Sequence, residues 1–269
     1  MTRPLLSRHW TTGGTQLSPR ARWWFRGLCQ ALDQRYYHPA TTTAEREYLK
    51  SLCMAEESAV GWARQYLAKG FPEAQTPVIA MFDGIERVLA SGAVRTVHQV
   101  ACCSGREIGW FAKRYPEIEF VGSDCDEELV EFLNAHWDAV ENLRFEILRM
   151  DQPPRMMTCN LLFASGGLHY LDPDALACFF TWAVSRADRL YLSQPMDRDY
   201  DPETANGSSG RGLLSWNHPY RRMLLAAGYE AAGWKFGYLE TLPQFKNYSA
   251  FAAASVEKVW PDDVLGVGH

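Results

Sequence analysis

Apolar positions in the first part of the chain recur every three to four residues, whereas after Arg95 they gather in short continuous runs. The first pattern belongs to amphipathic helices and the second to strands covered on both faces. Residues 1 to about 94 therefore read as helical. Thr42 with Glu45 forms a capping box, in which hydroxyl and carboxylate satisfy free N–H groups at a helix start. Leu49, Leu52, Val60 and Leu67 follow, and Gly70 supplies a C-terminal stop. Thr76-Pro77 gives a second start, and Val78, Met81, Phe82, Ile85, Val88 and Leu89 run from it to Gly92.

Beyond Arg95, runs at 96–103, 117–123, 143–150, 159–165 and 189–193 predict five strands. Helical segments at 107–115, 127–140 and 173–187 lie between most of them, the last two capped by Asp126 and Asp172. Strands alternating with helices imply βαβ units and a parallel sheet with right-handed crossovers. The last third reads differently. A Gly/Ser-rich loop (206–212) leads to a helix near 219–227, and two runs at 229–238 and 248–256 follow without a helix between them. These predict an antiparallel pair closing the sheet edge.

With 47% apolar and 22% charged residues, a chain of 269 suits one large domain or a core domain with a cap. The expected division is a helical cap over 1–76 and an α/β domain over 77–269. A net charge of −5 disfavours a nucleic-acid partner, which selects clustered Lys and Arg. Arg20, Arg22 and Arg26 do cluster, but Trp23, Trp24 and Phe25 sit among them, as on a helix with one solvated face. The first ten residues are basic without the apolar centre of a signal peptide, and no stretch approaches a membrane span. Seven cysteines, an odd number with no CxxC pair, fit a reducing compartment. The expectation is a cytoplasmic monomer or homodimer with neither membrane nor nucleic acid as partner.

The strand ends carry the chemistry. The first ends in Val100-Ala-Cys-Cys-Ser-Gly-Arg-Glu107, small residues that let the backbone turn sharply and approach a nucleotide-type ligand. The second ends in Phe120-Val-Gly-Ser-Asp124, and Asp124 falls 19 positions after Gly105, the spacing of an acid that accepts from ribose hydroxyls. The third ends in Met150-Asp151-Gln152, and the fourth leads into Ser165-Gly-Gly-Leu-His-Tyr170.

In this order the four ends resemble those of the class I S-adenosylmethionine-dependent methyltransferases, over roughly residues 77 to 256. The family's V-L-D-x-G-C-G-x-G run is matched by Val97-His-Gln-Val-Ala-Cys-Cys-Ser-Gly105. Gln99 stands for its acid, Ala101 and Cys103 stand for two glycines, and Gly105 is kept. The resemblance implies a Rossmann-like α/β sheet, mostly parallel, with an antiparallel C-terminal strand pair and an N-terminal helical cap. It also implies S-adenosylmethionine as cofactor and S-adenosylhomocysteine as product. The implied cofactor site comprises Ala101, Cys102, Cys103, Ser104 and Gly105, then Asp124 at the ribose. Asp151 would contact the adenine amine, Cys125 and Gln152 would also touch the cofactor, and Ser165 would open the fourth motif.

His169, just past the fourth strand, is a candidate general base, with local packing as the alternative; His218 is the second candidate, or a helix-start residue. Tyr36 and Tyr37, with Trp23, Trp24 and Phe25, either cage a substrate or pack between helices. Tyr170, Trp216 and Tyr220 are further substrate candidates. So is Arg211, in a loop that reads as a lid or as a plain connection. Cys102, Cys103 and Cys125 should lie close together, but no histidine is placed as a fourth ligand, so no metal is expected. The reaction expected is methyl transfer to a small-molecule acceptor in a capped pocket. Two other classes stay open: an inactive methyltransferase-like scaffold, which the altered glycine run favours, and a nicotinamide-dependent oxidoreductase, which lacks its GxGxxG here. A DNA amino-methyltransferase would carry Asp/Asn-Pro-Pro-Tyr where Ala164-Ser-Gly-Gly167 stands.

Overall fold

A computed structural model describes residues 31–32, 34–54, 59–70, 79–154, 158–202, 204–212, 215–229, 235–242 and 245–253. Ahead of the first strand stand helices α1 (Thr43–Met54), α2 (Ala59–Lys69) and α3 (Ile79–Ala90). The capping box closes as expected, since Glu45 N–H donates to Thr42 Oγ1 at 3.2 Å and Thr42 N–H donates to Glu45 Oε2 at 2.9 Å. The helix start at Thr76-Pro77, the boundary between 76 and 77, and Trp23, Trp24 and Phe25 lie outside the described residues.

The α/β unit then runs β1 (Thr96–Val100), α4 (Arg106–Arg114), β2 (Glu119–Asp124), α5 (Glu127–His136), β3 (Leu143–Ile147), β4 (Cys159–Ser165), α6 (Pro173–Val184) and β5 (Ala187–Asp197). A short hairpin follows, β6 (Ser209–Gly212) and β7 (Ser215–Asn217), then α7 (Tyr220–Ala227), β8 (Lys235–Leu242) and β9 (Phe245–Ala253). Asp126 and Asp172 cap their helices, accepting from Leu129 N at 2.8 Å and from Ala175 N at 2.9 Å.

The main sheet has seven strands in the order β3-β2-β1-β4-β5-β9-β8. The first five are parallel, and β9 joins β5 antiparallel through the register Arg189↔Ala253 to Asp197↔Phe245. The strand order reverses direction beside β1, which opens a crevice at the carboxyl ends of β1 and β4. Successive residues of β4 face opposite layers. Leu161 and Phe163 join Phe82, Ile85, Phe111 and Leu133 on one side, while Leu162 and Ala164 join Phe179, Phe180 and Leu224 on the other. This two-sided burial is why the strand reads as an unbroken apolar run.

Helix α3 buries Met81, Phe82, Ile85, Val88 and Leu89, whereas α1 and α2 bury Leu49 and Ala63 among the described side chains. Each large apolar side chain contributes about 1.5–3 kcal/mol on burial. So α3 belongs to the sheet's own core. Among the described residues no helix is long and apolar enough to cross a membrane.

One expectation is corrected here. Segment 206–212 is not a disordered connection throughout, because its second half is β6, paired with β7. Tyr37 explains the order in so glycine-rich a stretch: its ring lies against Gly210, where any Cβ would come within 2.7 Å, and its hydroxyl donates to Ser215 O. Tertiary packing overrides the local preference for a loop.

Candidate functional site

After β1 the backbone takes positive φ at alternate residues: Ala101 at 51°, Cys103 at 50° and Gly105 at 63°. A side-chain-bearing residue in this region costs roughly 1–2 kcal/mol, so the surroundings must impose it. They do so through three hydrogen bonds. Cys102 N donates to Ser123 O at 2.9 Å, Gly105 N to Cys102 O at 2.8 Å, and Cys103 N to Asp124 Oδ2 at 3.1 Å. The two positions where the sequence lacks glycine keep a glycine-like backbone.

Side chains of this loop divide. Cys102 and Ser104 are buried, Cys102 within the apolar core, which leaves the backbone of the loop as the part to approach a ligand, as the small residues lead one to expect. Ala101 and Cys103 stay half-buried. Burial pushes the Cys102 thiol well up, the Cys103 thiol to about 12 and the exposed-edge Cys125 thiol to about 11, so all three stay neutral at neutral pH. Among the described residues no group of three His, Cys, Asp or Glu could hold a metal.

Asp124 ends β2 with its carboxylate turned to this loop. Besides Cys103 N, it accepts from Cys125 N at 2.8 Å. Burial holds its pKa above the usual carboxylate value, and the backbone N–H bonds pull the other way. Beneath it Gln99, where the family carries an acid, is buried with Oε1 lacking a hydrogen-bond partner. Asp151, past β3, is gripped by the Arg149 guanidinium at 2.9 and 3.2 Å in a half-exposed pair. Such a surface pair contributes only about 0–1 kcal/mol and yields readily to another donor. Gln152 is exposed beside it, its N–H donating to Arg149 O at 3.0 Å.

From β4 the chain passes half-buried Ser165, then Gly166 and Gly167 at φ of 81° and 86°, into a 3₁₀ turn over Leu168–Tyr170. His169 is buried on that turn, and burial, then the Arg211 charge, lowers its pKa to about 3. Its partner is Gln194 of β5, which the sequence reading missed. Gln194 Nε2 donates to Ala164 O at 3.2 Å and Gly166 O at 3.1 Å, while Oε1 accepts from His169 N at 3.3 Å. Those backbone groups fix which end of the amide is oxygen. His169 Nδ1, 3.3 Å from the same Oε1, must therefore carry the proton, and Nε2 is left as the basic nitrogen. The signal was a glutamine closing the apolar run Leu190-Tyr-Leu-Ser.

The other proposed histidine is corrected. His218 is fully buried, with Nε2 on Leu171 O at 3.1 Å and Nδ1 on Ser208 Oγ at 2.9 Å. Both nitrogens are committed to holding the hairpin, and burial lowers its pKa to about 3. Three substrate candidates are corrected with it. Tyr36 and Trp216 pack together with Leu49, the indole N–H donating to Tyr36 Oη at 3.4 Å, and Tyr220 is fully buried against Phe180. Tyr36 and Trp216 join the N-terminal helices to the hairpin, strengthened by Arg46, which lies over Trp216 and pairs with Asp172 at 3.8 Å.

Of the other substrate candidates, Tyr37 packs on Gly210 and Trp216 beside that cluster, Arg211 is mostly buried near Asp197, and Tyr170 stays partly exposed. Tyr170 is 40% exposed, its ring 4.0 Å from that of His169, and its hydroxyl lies within the fields of Arg211, Tyr66 and Cys103. Asp197, 3.7 Å from Arg211 Nε, is a further neighbour absent from the sequence reading. A separate concavity of about 360 Å³, lined by Thr96, Asn160, Arg186 and Asp188, opens at the amino ends of the strands. Ligands of parallel α/β sheets bind at the carboxyl ends, near helix N-termini, so the crevice beside β1 is the functional candidate.

No protein-family model and no curated protein matches the chain. Solved structures do. A candidate O-methyltransferase from Nostoc punctiforme superposes with a TM-score of 0.58 at 12% identity, over 85% of this chain and 68% of that one. The N-terminal domain of EvdMO1, solved with S-adenosylhomocysteine bound, gives 0.53 at 16% identity, over 87% and 97%. Magnesium protoporphyrin IX methyltransferase from Synechocystis, solved with S-adenosylmethionine bound, gives 0.50 at 16% identity, over 80% and 99%. The chain has the Rossmann-like fold of the class I methyltransferases.

Proposed function

We propose that the protein transfers the methyl group of S-adenosylmethionine to a small-molecule acceptor held under the N-terminal cap. The observation that carries this reading is the loop after β1, where Ala101 and Cys103 hold glycine-type backbone conformations beside the Asp124 carboxylate. A loop kept in a costly shape by residues unsuited to it argues for a shape under selection. The fit is good in three respects. Asp124 aims a carboxylate at the crevice for ribose hydroxyls. Gly166 has open space where a Cβ would stand, and the buried Gln99 oxygen lacks a partner beneath the loop.

The bound cofactor supplies an electrophilic methyl carbon on a cationic sulfur. The chain's own task is placement and exclusion of water. Asp124 and the loop amides hold the adenosyl end. Tyr170 and Tyr37 border the acceptor, and the His169 Nε2 lone pair accepts a hydrogen bond from the acceptor's O–H or N–H, turning its lone pair toward the methyl. A ring with a pKa near 3 is a weak base, so orientation outweighs proton removal, and the proton leaves late.

The test is transfer of label. Purified protein is incubated with methyl-labelled S-adenosylmethionine and a fractionated metabolite extract. Label appearing in a small-molecule fraction, and lost in His169→Ala, supports the reading. No transfer to any fraction, with the protein folded, argues for a non-catalytic binding protein.

A further inference from the structure

We propose that Arg106 is a positioning residue that ties helix α2 to the loop after β1, so that filling the cofactor site steadies the cap. The inference rests on the functional reading above and concerns how filling that site acts on the helices beside it.

The first observation is where Arg106 stands. It is the first residue of α4, directly after Gly105 with its φ of 63°, and it is buried. A helix N-terminus carries partial positive charge, so a buried cation there is disfavoured both by the dipole and by lost hydration. Glu107 offsets part of this, with its Oε1 3.3 Å from Arg106 Nε. A residue held against that field has its compensation elsewhere.

The second is where the side chain ends. The Arg106 guanidinium lies over the Tyr66 ring, 5.0 Å from its centroid, and Nη1 donates to Gly70 O at 3.3 Å. Tyr66 stands in the last turn of α2, and Gly70 follows that helix with a φ of 72°. Carbonyls at a helix end have no partner within the helix, and here a side chain of α4 supplies the donor. Lys69 lies over the same ring at 5.2 Å, and Trp62 stacks on it at 6.1 Å. The middle of α2 is held separately, by Ala63 in the core and by Arg64 over Phe132 of α5 at 5.2 Å. Arg106 thus fixes the C-terminal end of α2.

The third is how the loop reaches Arg106. Gly105, at the N-cap of α4, has no side chain to cap the helix, and Ser104 Oγ accepts from Arg106 N at a long 3.4 Å. The N–H groups of this first turn are the ones that a ligand on the loop would order. A ligand that narrows the motion of the first turn narrows that of the Arg106 backbone, and through the guanidinium that of α2. Ordering passed on in this way couples two sites without a change of shape, and the coupling is reciprocal.

The experiment is amide hydrogen exchange read by mass spectrometry on the full chain, with and without saturating S-adenosylhomocysteine. In the wild type the ligand is expected to slow exchange at 101–109 and also at 59–70, the latter by about fivefold or more, the lower end of ordinary coupling between sites. Arg106→Gln should keep the effect at 101–109 and lose it at 59–70. Tyr66→Leu, acting from the α2 side, should do the same, and it decides the matter if Arg106→Gln does not fold. A contact that only stabilises would loosen α2 with and without ligand and leave the ligand's effect in place. Slowing confined to 101–109 in the wild type overturns the proposal alone, as does slowing at 59–70 that survives both variants. A wild type with no slowing at either segment defeats the methyltransferase reading on which the proposal stands.

Discussion

A Cβ on Gly167 would stand 2.4 Å from the Cβ of Ala101, closer than two carbon atoms of this kind ever approach. The two residues lie on neighbouring strand ends, one in the loop after β1 and the other in the turn after β4. Because Ala101 occupies a position where the family carries glycine, the space its methyl fills must be given up by Gly167. The two sides of the crevice are thus matched in volume.

Gly167→Ala should therefore destabilise by about 2 kcal/mol or more, combining that overlap with a backbone at φ 86°. Ala101→Gly alone should shift stability by under about 1 kcal/mol, since relieved strain offsets added chain entropy. In the double variant the overlap disappears. A cycle measured by denaturant unfolding should show coupling of about 1 kcal/mol or more, and additive effects would refute the matched packing.

Gln194→Leu removes the donor from two carbonyls and the acceptor from the His169 ring. The expected loss is about 1–3 kcal/mol in stability from buried groups left unpaired. Turnover should fall more than cofactor affinity does, because the His169 tautomer is released. A fall in cofactor affinity with turnover unchanged would put Gln194 outside the acceptor side.

Acid should destabilise the protein through its buried histidines. His98, His169 and His218 have folded pKa values of about 3 against 6.5 when free, so their neutral forms favour the fold fully above pH 6.5. That stability is lost as pH falls from 6.5 toward 3, by about 1.4 kcal/mol per pH unit for each ring. The raised carboxyl of Asp124 acts in the opposite sense, losing its contribution as pH rises. Unfolding at pH 5.5 should take up about two to three protons from these rings, measurable from the pH dependence of Tm. A flat Tm between pH 7 and 5 would contradict their burial.

Much of this was legible in the chain. Thr42 with Glu45, Asp126 and Asp172 announced three helix starts because capping is local chemistry, and two-sided burial gave β4 its apolar run Leu161–Ala164. The strand ends at Asp124 and His169 were found for the same reason. What stayed hidden depended on tertiary context. Gly210 looks like a loop residue until Tyr37 packs on it. His218 looks catalytic until Leu171 O and Ser208 occupy both of its nitrogens. Gln194 acquires meaning only when parallel pairing brings β5 beside the end of β4, and no spacing in one strand reveals that.

The central claim is cofactor binding in the crevice beside β1, and calorimetric titration with S-adenosylhomocysteine tests it most directly. The wild-type chain should release heat with a single site, and Asp124→Ala should weaken that site by about 1–3 kcal/mol while leaving the fold intact. Absence of heat at millimolar ligand, or an affinity indifferent to Asp124, would contradict it.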